Sequence, residues 1–445
     1  ISAEWDVTPD LDIRFSMDGT KDTSAPRQGH RLITSLFTGQ PVLKNVYDTR
    51  AGLNVVDQNV EAFGTSIVAE YRLNDKITLK NILAYREDES VTPIDFDSLA
   101  AADLDVPAIY ENDQLSEEFQ INYSGERLNG LVGFYYLDAN ASTVFDVLLD
   151  TTGQIIGLPG LNAQTFGEVN TETWSIFGDF TYDITDRLHL TLGARYTEDT
   201  RSSVVKRSTF IGGFSEFFGG SPILIATTSD FNGEADFDDF SPRLSVAYDL
   251  TDNSNIYFTY AQGFKGGGFD PRGQTTAAPD LDGDGTVSPS EVFQFMQFDP
   301  EEVDSFEVGY KANHLNGKLN YSLAGFYSDY KNVQVPGSVG VDTDGDGVSD
   351  SFTGVTTNAG AATIWGIEFE GNYSFAEAVF NSDDLFNASW SLGYLDAQYD
   401  EFIDATGTDV ADQRVIQNTP DWTASLRLAY DTPFTIANNQ GNMLI

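Results

Sequence analysis

The chain has 445 residues, of which 13% are aromatic, 40 are glycine and none is cysteine. The lack of cysteine excludes disulfides, thiolate metal sites and cysteine nucleophiles. The formal net charge is −45, from 69 acidic and 24 basic side chains. This balance excludes nucleic acid as a partner, because phosphate binding requires concentrated Lys and Arg. No run approaches the roughly 18 consecutive apolar residues of a transmembrane helix.

Alternation of apolar and polar residues predicts β-strands along the chain. At 188–197, leucines, Ala194 and Tyr196 alternate with polar residues, and the pattern returns at 256–261 and 319–324. One face of such a strand suits lipid and the other a water-filled lumen. The mean hydropathy of −0.26 agrees, since a membrane barrel places lipid-facing side chains only at every second position.

Short and long connections alternate between the predicted strands. The short polar turns lie at 8–10, 74–76, 125–127, 185–187, 252–254 and 316–318. The long connections lie at 22–58, 88–112, 145–168, 199–238, 265–302, 331–358 and 399–416. The pattern predicts an all-β fold, a transmembrane antiparallel β-barrel of about fifteen strands with short periplasmic turns and long extracellular loops. A soluble all-β or solenoid protein is the alternative.

Several segments resemble the C-terminal barrel of TonB-dependent receptors. They are FGDFTY at 177–182 with LGARYT at 192–197, FSPRL at 240–244 with YFTYAQGFK at 257–265, EEVDSFEVGYK at 301–311, NAG at 358–360 with GIE at 366–368, and NTP at 418–420 followed by Leu426. The resemblance extends from the start of the chain to about residue 432. The order and spacing of these segments make it specific.

The resemblance implies a barrel of about 22 strands closed around an N-terminal plug. Residues 1–445 are therefore expected to be a barrel fragment that lacks the plug, its energy-coupling box and the last strands. It also implies a multi-pass protein of the bacterial outer membrane, in contact with outer-membrane lipid. Its partners would be a small-molecule nutrient and the TonB–ExbB–ExbD complex, which acts through the plug.

The resemblance implies active import of a scarce nutrient bound at the extracellular loops, and no enzymatic activity. A ferric siderophore or a similar chelate is the default nutrient, with oligosaccharides and cobalamin as alternatives. Candidate cations for an anionic ligand do not cluster in the sequence: Arg50, Lys206, Arg207, Lys265 and Arg272. The charge of −45 therefore favours a neutral or cationic ligand. A passive porin or structural barrel and a calcium-stabilised secreted adhesin are the other functions considered.

The sharpest local motif is DLDGDGTVSPSE at 280–291, which fits the twelve-residue EF-hand calcium loop. Calcium prefers about 6–8 oxygen ligands. The predicted ligands are Asp280, Asp282 and Asp284, the carbonyl of Thr286, Ser288 through water, and both oxygens of Glu291. Gly285 allows the sharp turn, and a short helix is expected to start near Glu291. Structural calcium that stiffens an acidic loop is the predicted role.

A second acidic segment at 342–353 repeats the pattern, with Thr353 in place of the closing glutamate. Its candidate ligands are Asp342, Asp344, Asp346, Val348 and Asp350. Both segments would be weak extracellular calcium sites, of order 10⁻⁴ to 10⁻³ M. The alternative is that both are solvated acidic turns. Loop aromatic residues either contact the ligand or pack the loops together: Phe210, Phe214, Phe217, Phe218, Phe293, Phe295 and Phe298.

Overall fold

The computed structural model describes residues 1–36, 38–50, 52, 57–102, 104–341, 351–358, 360–380, 383–403, 408–436 and 439–444. The strands are β1 Ser2–Thr8, β2 Leu11–Asp22, β3 Asn59–Asn74, β4 Ile77–Asp95, β5 Asp105–Ser124, β6 Leu128–Leu148, β7 Asn162–Asp183, β8 Leu188–Ile211, β9 Ile223–Thr251, β10 Ser254–Lys265, β11 Gly268–Phe269, β12 Gln297–Phe298, β13 Glu301–His314, β14 Leu319–Lys331, β15 Gln334–Val341, β16 Ser351–Asn358, β17 Gly360–Glu377, β18 Leu385–Phe402, β19 Trp422–Ile436 and β20 Asn439–Leu444. The helices are α1 Asp150–Ile156 and α2 Pro289–Met296, with short 3₁₀ turns at Glu216–Phe218, Thr275–Ala277 and Ala411–Gln413.

Sixteen of the strands form one antiparallel sheet in the order β1 to β10, β13, β14, β17, β18, β19 and β20. Every neighbour in this sheet is the next strand along the chain apart from two inserted hairpin-like pairs, β11–β12 and β15–β16. This up-and-down topology confirms the predicted all-β fold. Within the described residues, β1 and β20 are the outer strands and do not pair with each other.

The short turns lie where the sequence predicts them. Two residues separate β1 from β2, β3 from β4 and β9 from β10. The long connections differ from the prediction, because the hairpins continue far into them. In the connection predicted at 199–238, β8 extends to Ile211 and β9 begins at Ile223. Polar residues pair across this extension, as in the 2.7 Å hydrogen bond that the Thr200 hydroxyl donates to Asp236.

One face of the sheet carries two rows of aromatic side chains, which we call the outward face. In five strands, aromatic residues on this face are eight positions apart: Trp174 and Tyr182, Phe240 and Tyr248, Trp365 and Tyr373, Phe386 and Tyr394, and Trp422 and Tyr430. Every side chain between them on this face is apolar or glycine. Eight residues extend about 26 Å along a strand, which a tilt of about 40° reduces to about 20 Å. This height approaches the roughly 25 Å apolar band of a membrane barrel.

The opposite face, which we call the inner face, is polar. Near the short turns it forms a concavity of about 930 Å³ whose lining is rich in Asn and Ser, including Asn313, Asn320 and Ser425. Lys311, Glu370 and Arg427 also line it. The inner face therefore lacks the apolar character of a protein core. No helix in the described ranges is long and apolar enough to cross a membrane.

Candidate functional site

The connection between β10 and β13 is folded and packs against the inner side of the β8–β9 hairpin. Phe269 and Met296 bury their side chains against the cross-strand partners Val205 and Phe231. These four residues form the loop core, and Phe293 packs against it with its ring centroid 5.5 Å from that of Phe269. The apolar residues of this long connection thus hold it in place.

The aromatic residues predicted as ligand contacts or loop packing can now be distinguished. Phe293 and Phe295 pack against the loop core. The ring of Phe217 stacks on Phe166 with a centroid distance of 6.4 Å. For these three residues, the structure shows packing within the loops.

The acidic loop at 280–291 forms a tight turn at its glycines. Carboxylate oxygens of Asp280, Asp282 and Asp284 all lie within 4.8 Å of one another, and the three side chains are exposed. Gly283 and Gly285 adopt positive φ angles of 73° and 87°, a conformation that side chains disfavour. Asp280 accepts hydrogen bonds from both glycine amides, at 2.7 and 2.8 Å. The carboxylates thus shape the turn from within.

Glu291, the predicted closing ligand, lies in the first turn of helix α2 and is 7% exposed. Its carboxylate accepts hydrogen bonds from the Ser288 backbone amide at 2.7 Å, from the Ser288 hydroxyl at 2.8 Å, and from the Leu281 backbone amide at 2.6 Å. These bonds, those from Ser288 first, lower its pKa from 4.5 to about 2. Glu291 is therefore ionised at neutral pH, and it joins the loop to a capping box at the start of the helix.

Calcium at this loop stays a prediction, and the geometry sharpens its test. Asp282→Asn removes a charge but keeps the oxygen that accepts from the Asp284 amide at 3.0 Å. Glu291→Ala is less informative, because it also breaks the helix cap. Millimolar calcium is expected to raise the thermal midpoint of the purified protein, and the rise should shrink in Asp282→Asn. No shift up to several millimolar in either protein would contradict the site.

The second predicted calcium segment is only partly within the described residues. Its candidate ligands Asp342, Asp344, Asp346, Val348 and Asp350 lie outside them. The end of the predicted segment belongs to strand β16, where the buried Thr353 hydroxyl accepts a 2.8 Å hydrogen bond from the Gln274 backbone amide. Thr353 thus contributes to packing between two loops.

A third acidic group was not predicted from the sequence. Carboxylate oxygens of Asp95, Asp97 and Asp105 lie within 4.8 Å of one another at the tip of the β4–β5 hairpin. Asp95 accepts from the backbone amides of Ser98 and Gly52, at 2.6 and 2.9 Å. Its residues come from the end of one strand and the start of the next, and they lack the glycine pattern of a calcium loop. They meet only because Asp95 pairs with Asp105 across the two strands. In the structure, this acidic group therefore holds the backbone of the neighbouring loops in place through hydrogen bonds.

A cavity of about 640 Å³ lies between the β15–β16 hairpin and the connection from β18 to β19. We call it the long-loop pocket. Its aromatic wall is formed by Tyr399 and Phe402, whose ring centroids are 5.0 Å apart at 88°. The guanidinium carbon of Arg414 lies 5.3 Å from the Phe402 ring centroid. Val335, Val415 and Ile416 add apolar surface.

Arg414 was not predicted as a ligand contact from the sequence. It is the only basic residue between 399 and 416 and therefore belongs to no cluster of cations. The predicted cations Arg207 and Arg272 lie elsewhere, next to each other near the loop core. The Arg207 guanidinium donates a 3.4 Å hydrogen bond to the Arg272 carbonyl. Phe402, the ring that Arg414 contacts, is not one of its sequence neighbours, so the sequence carried no signal for this site.

Comparisons with known proteins place this chain in a family. The family model described as "TonB dependent receptor-like, beta-barrel" matches residues 4–443. The pesticin receptor of Yersinia enterocolitica is 24% identical over 211 residues, which are 47% of this chain and 25% of that protein. The family consists of receptors and transporters.

Solved structures show the same fold at low sequence identity. The ferric yersiniabactin uptake receptor of Yersinia pestis has a TM-score of 0.63 and 17% identity, over 97% of this chain and 55% of that one. The ferripyoverdine receptor of Pseudomonas aeruginosa has a TM-score of 0.54 and 16% identity, over 98% of this chain and 52% of that one. This chain therefore spans about half the length of the structures that it matches. Because the family model covers nearly all of its residues, the chain belongs to the TonB-dependent receptor family, as part of its β-barrel.

Proposed function

We propose that this chain is the barrel part of an outer-membrane receptor that binds a scarce nutrient at its long loops and imports it actively. The observation that carries the proposal is the division of the sheet into an apolar outward face between two aromatic rows and a polar inner face. A soluble sheet would bury its apolar face, yet Leu192 on the outward face, with paired strands on both sides, is 55% exposed. Lipid is the solvent in which that exposure is favourable.

The direction of the chain in the membrane follows from its connections. The short turns would face the periplasm, and the packed long connections the outside, as in barrels of this kind. The loop core and the long-loop pocket then belong to the extracellular end, where a nutrient arrives. The polar concavity near the short turns would lie within the barrel, where Lys311, Glu370 and Arg427 offer both charges.

A ferric siderophore or a similar metal chelate is the nutrient class that we propose. The solved relatives include receptors for ferric yersiniabactin and ferripyoverdine. Another structure of this fold, with 14% identity and a TM-score of 0.56, is a copper transporter. Energy from the TonB–ExbB–ExbD complex would act through the plug that the family carries outside this chain.

The proposal is tested by growth and uptake in the source bacterium. Cells that lack the receptor should fail to accumulate a radiolabelled metal chelate under metal starvation, and the full-length gene should restore accumulation. A panel of chelates, sugars and cobalamin identifies the class. If deletion leaves the uptake of every nutrient unchanged, the receptor function is wrong. Accumulation that needs the receptor but no cellular energy would instead support the passive porin.

A further inference from the structure

We propose that the long-loop pocket binds a planar aromatic group that bears a carboxylate or another anionic substituent, as one part of the imported nutrient. The inference rests on the proposed function and names the chemistry that its extracellular end recognises. It departs from the expectation, based on total charge, of a neutral or cationic ligand. The charge and shape of the pocket itself, and not the net charge of the whole chain, determine which ligand it fits.

The size and surface of the pocket suit a small organic group. Its volume of about 640 Å³ lies within the roughly 300–1,000 Å³ of small-molecule sites. Val415 is 82% exposed and Ile403 38% exposed, so the pocket presents apolar surface that a ring would cover. Tyr399 and Phe402 stand at right angles to each other, which allows a ring to meet one face and one edge.

Arg414 supplies the positive charge. Among the described residues its guanidinium has no ion pair, and its contact is with the Phe402 ring at 5.3 Å. Two other arginines of the long loops are already neutralised: Arg272 pairs with Asp270 at 2.7 Å and Arg201 with Asp199 at 3.0 Å. A guanidinium stacked on an aromatic ring keeps its N–H edge available for a bidentate carboxylate.

One acidic side chain near the pocket, Glu301, already has a backbone partner. One oxygen of Glu301 accepts a 2.7 Å hydrogen bond from the Gln334 backbone amide at the edge of the pocket. Burial, and next the charge of Glu301, raise the pKa of the Tyr399 phenol, which Arg414 partly offsets. Tyr399 therefore stays protonated at neutral pH and remains a hydrogen-bond donor. The pocket thus offers a phenol and a guanidinium to an anionic group.

The test measures binding of a fluorinated fragment to the full-length receptor in detergent micelles by fluorine NMR. 4-Fluorobenzoate is the probe, and 4-fluorobenzyl alcohol is its neutral counterpart. We expect 4-fluorobenzoate to bind more tightly than the alcohol. Arg414→Gln should weaken 4-fluorobenzoate at least about tenfold, and Arg414→Lys by less. Phe402→Leu should weaken both fragments.

Arg187→Gln, in a short turn at the opposite end of the sheet, is the matched control and should bind as the unmodified receptor does. Equal affinity for the acid and the alcohol, or unchanged binding in Arg414→Gln, would overturn the inference. Uptake separates this inference from the proposed function. Energy-dependent uptake that is unaffected by Arg414→Gln would support the receptor function and contradict the proposed role of the pocket. If 4-fluorobenzoate binding requires Arg414 but the protein imports no nutrient, the proposed receptor function is wrong and the ligand chemistry of the pocket is supported.

Discussion

Leu426→Arg is expected to lower the free energy of unfolding in lipid vesicles by about 2–4 kcal/mol. Leu426 lies on the outward face midway between the aromatic residues Trp422 and Tyr430, opposite Trp390 of the neighbouring strand. It is 70% exposed, so in a water-soluble sheet the same change would cost little. Urea titration of the receptor folded in phospholipid vesicles measures the difference.

Ser425→Arg is the matched control one residue away. Ser425 lies on the inner face, lines the concavity of about 930 Å³ and faces Ser391 across the ladder. Water and space are available there, so its cost should stay within about 1 kcal/mol. Equal costs for the two arginines would show that the outward face does not contact lipid.

Phe231→Ala is expected to release the β10–β13 connection from the barrel wall. Phe231 is 6% exposed in the loop core and contacts Phe269 and Phe293, with ring centroids 5.3 and 6.3 Å away. Truncating a buried phenylalanine costs about 3–5 kcal/mol. Because the other members of the core lie in this connection and in β8, the cost should appear as local opening. Hydrogen exchange of α2 amides measures it.

The control for the loop core is Phe217→Ala. Phe217 also belongs to a long connection, but it is 56% exposed and stacks only on Phe166 among the ring contacts of the described residues. Its truncation should leave α2 exchange unchanged. If Phe231→Ala also leaves that exchange unchanged, the connection is not held by the loop core.

The parts of the fold that the sequence predicts are those set by local chemistry. The alternation at 188–197 specifies a strand and both of its faces, and the polar turns specify the hairpin ends. The length of the hairpins was underestimated, because most outward-facing residues of β8 and β9 above the aromatic row are polar. Thr200 and Asp236 read as loop residues, yet their side chains pair across a continuous ladder.

The candidate site was predictable only where its residues are contiguous. The turn at 280–291 and its exit helix could be predicted directly, because the glycines and the helix-capping residues follow one another at a fixed spacing. The long-loop pocket combines two connections that meet only after the sheet has formed. Nothing in the sequence brings Val335 next to Arg414, and the partnership of Arg414 with Phe402 depends on the turn between them.

The most direct test of active import is the initial rate at which cells accumulate the nutrient, before and after the proton-motive force is dissipated. The measurement uses cells whose uptake depends on this receptor, at a nutrient concentration too low for passive entry. Energy-coupled import predicts that the rate falls at least about tenfold when the inner membrane is de-energised, while binding at the cell surface persists. An unchanged rate of accumulation would contradict energy-coupled import and would make the barrel a passive pore.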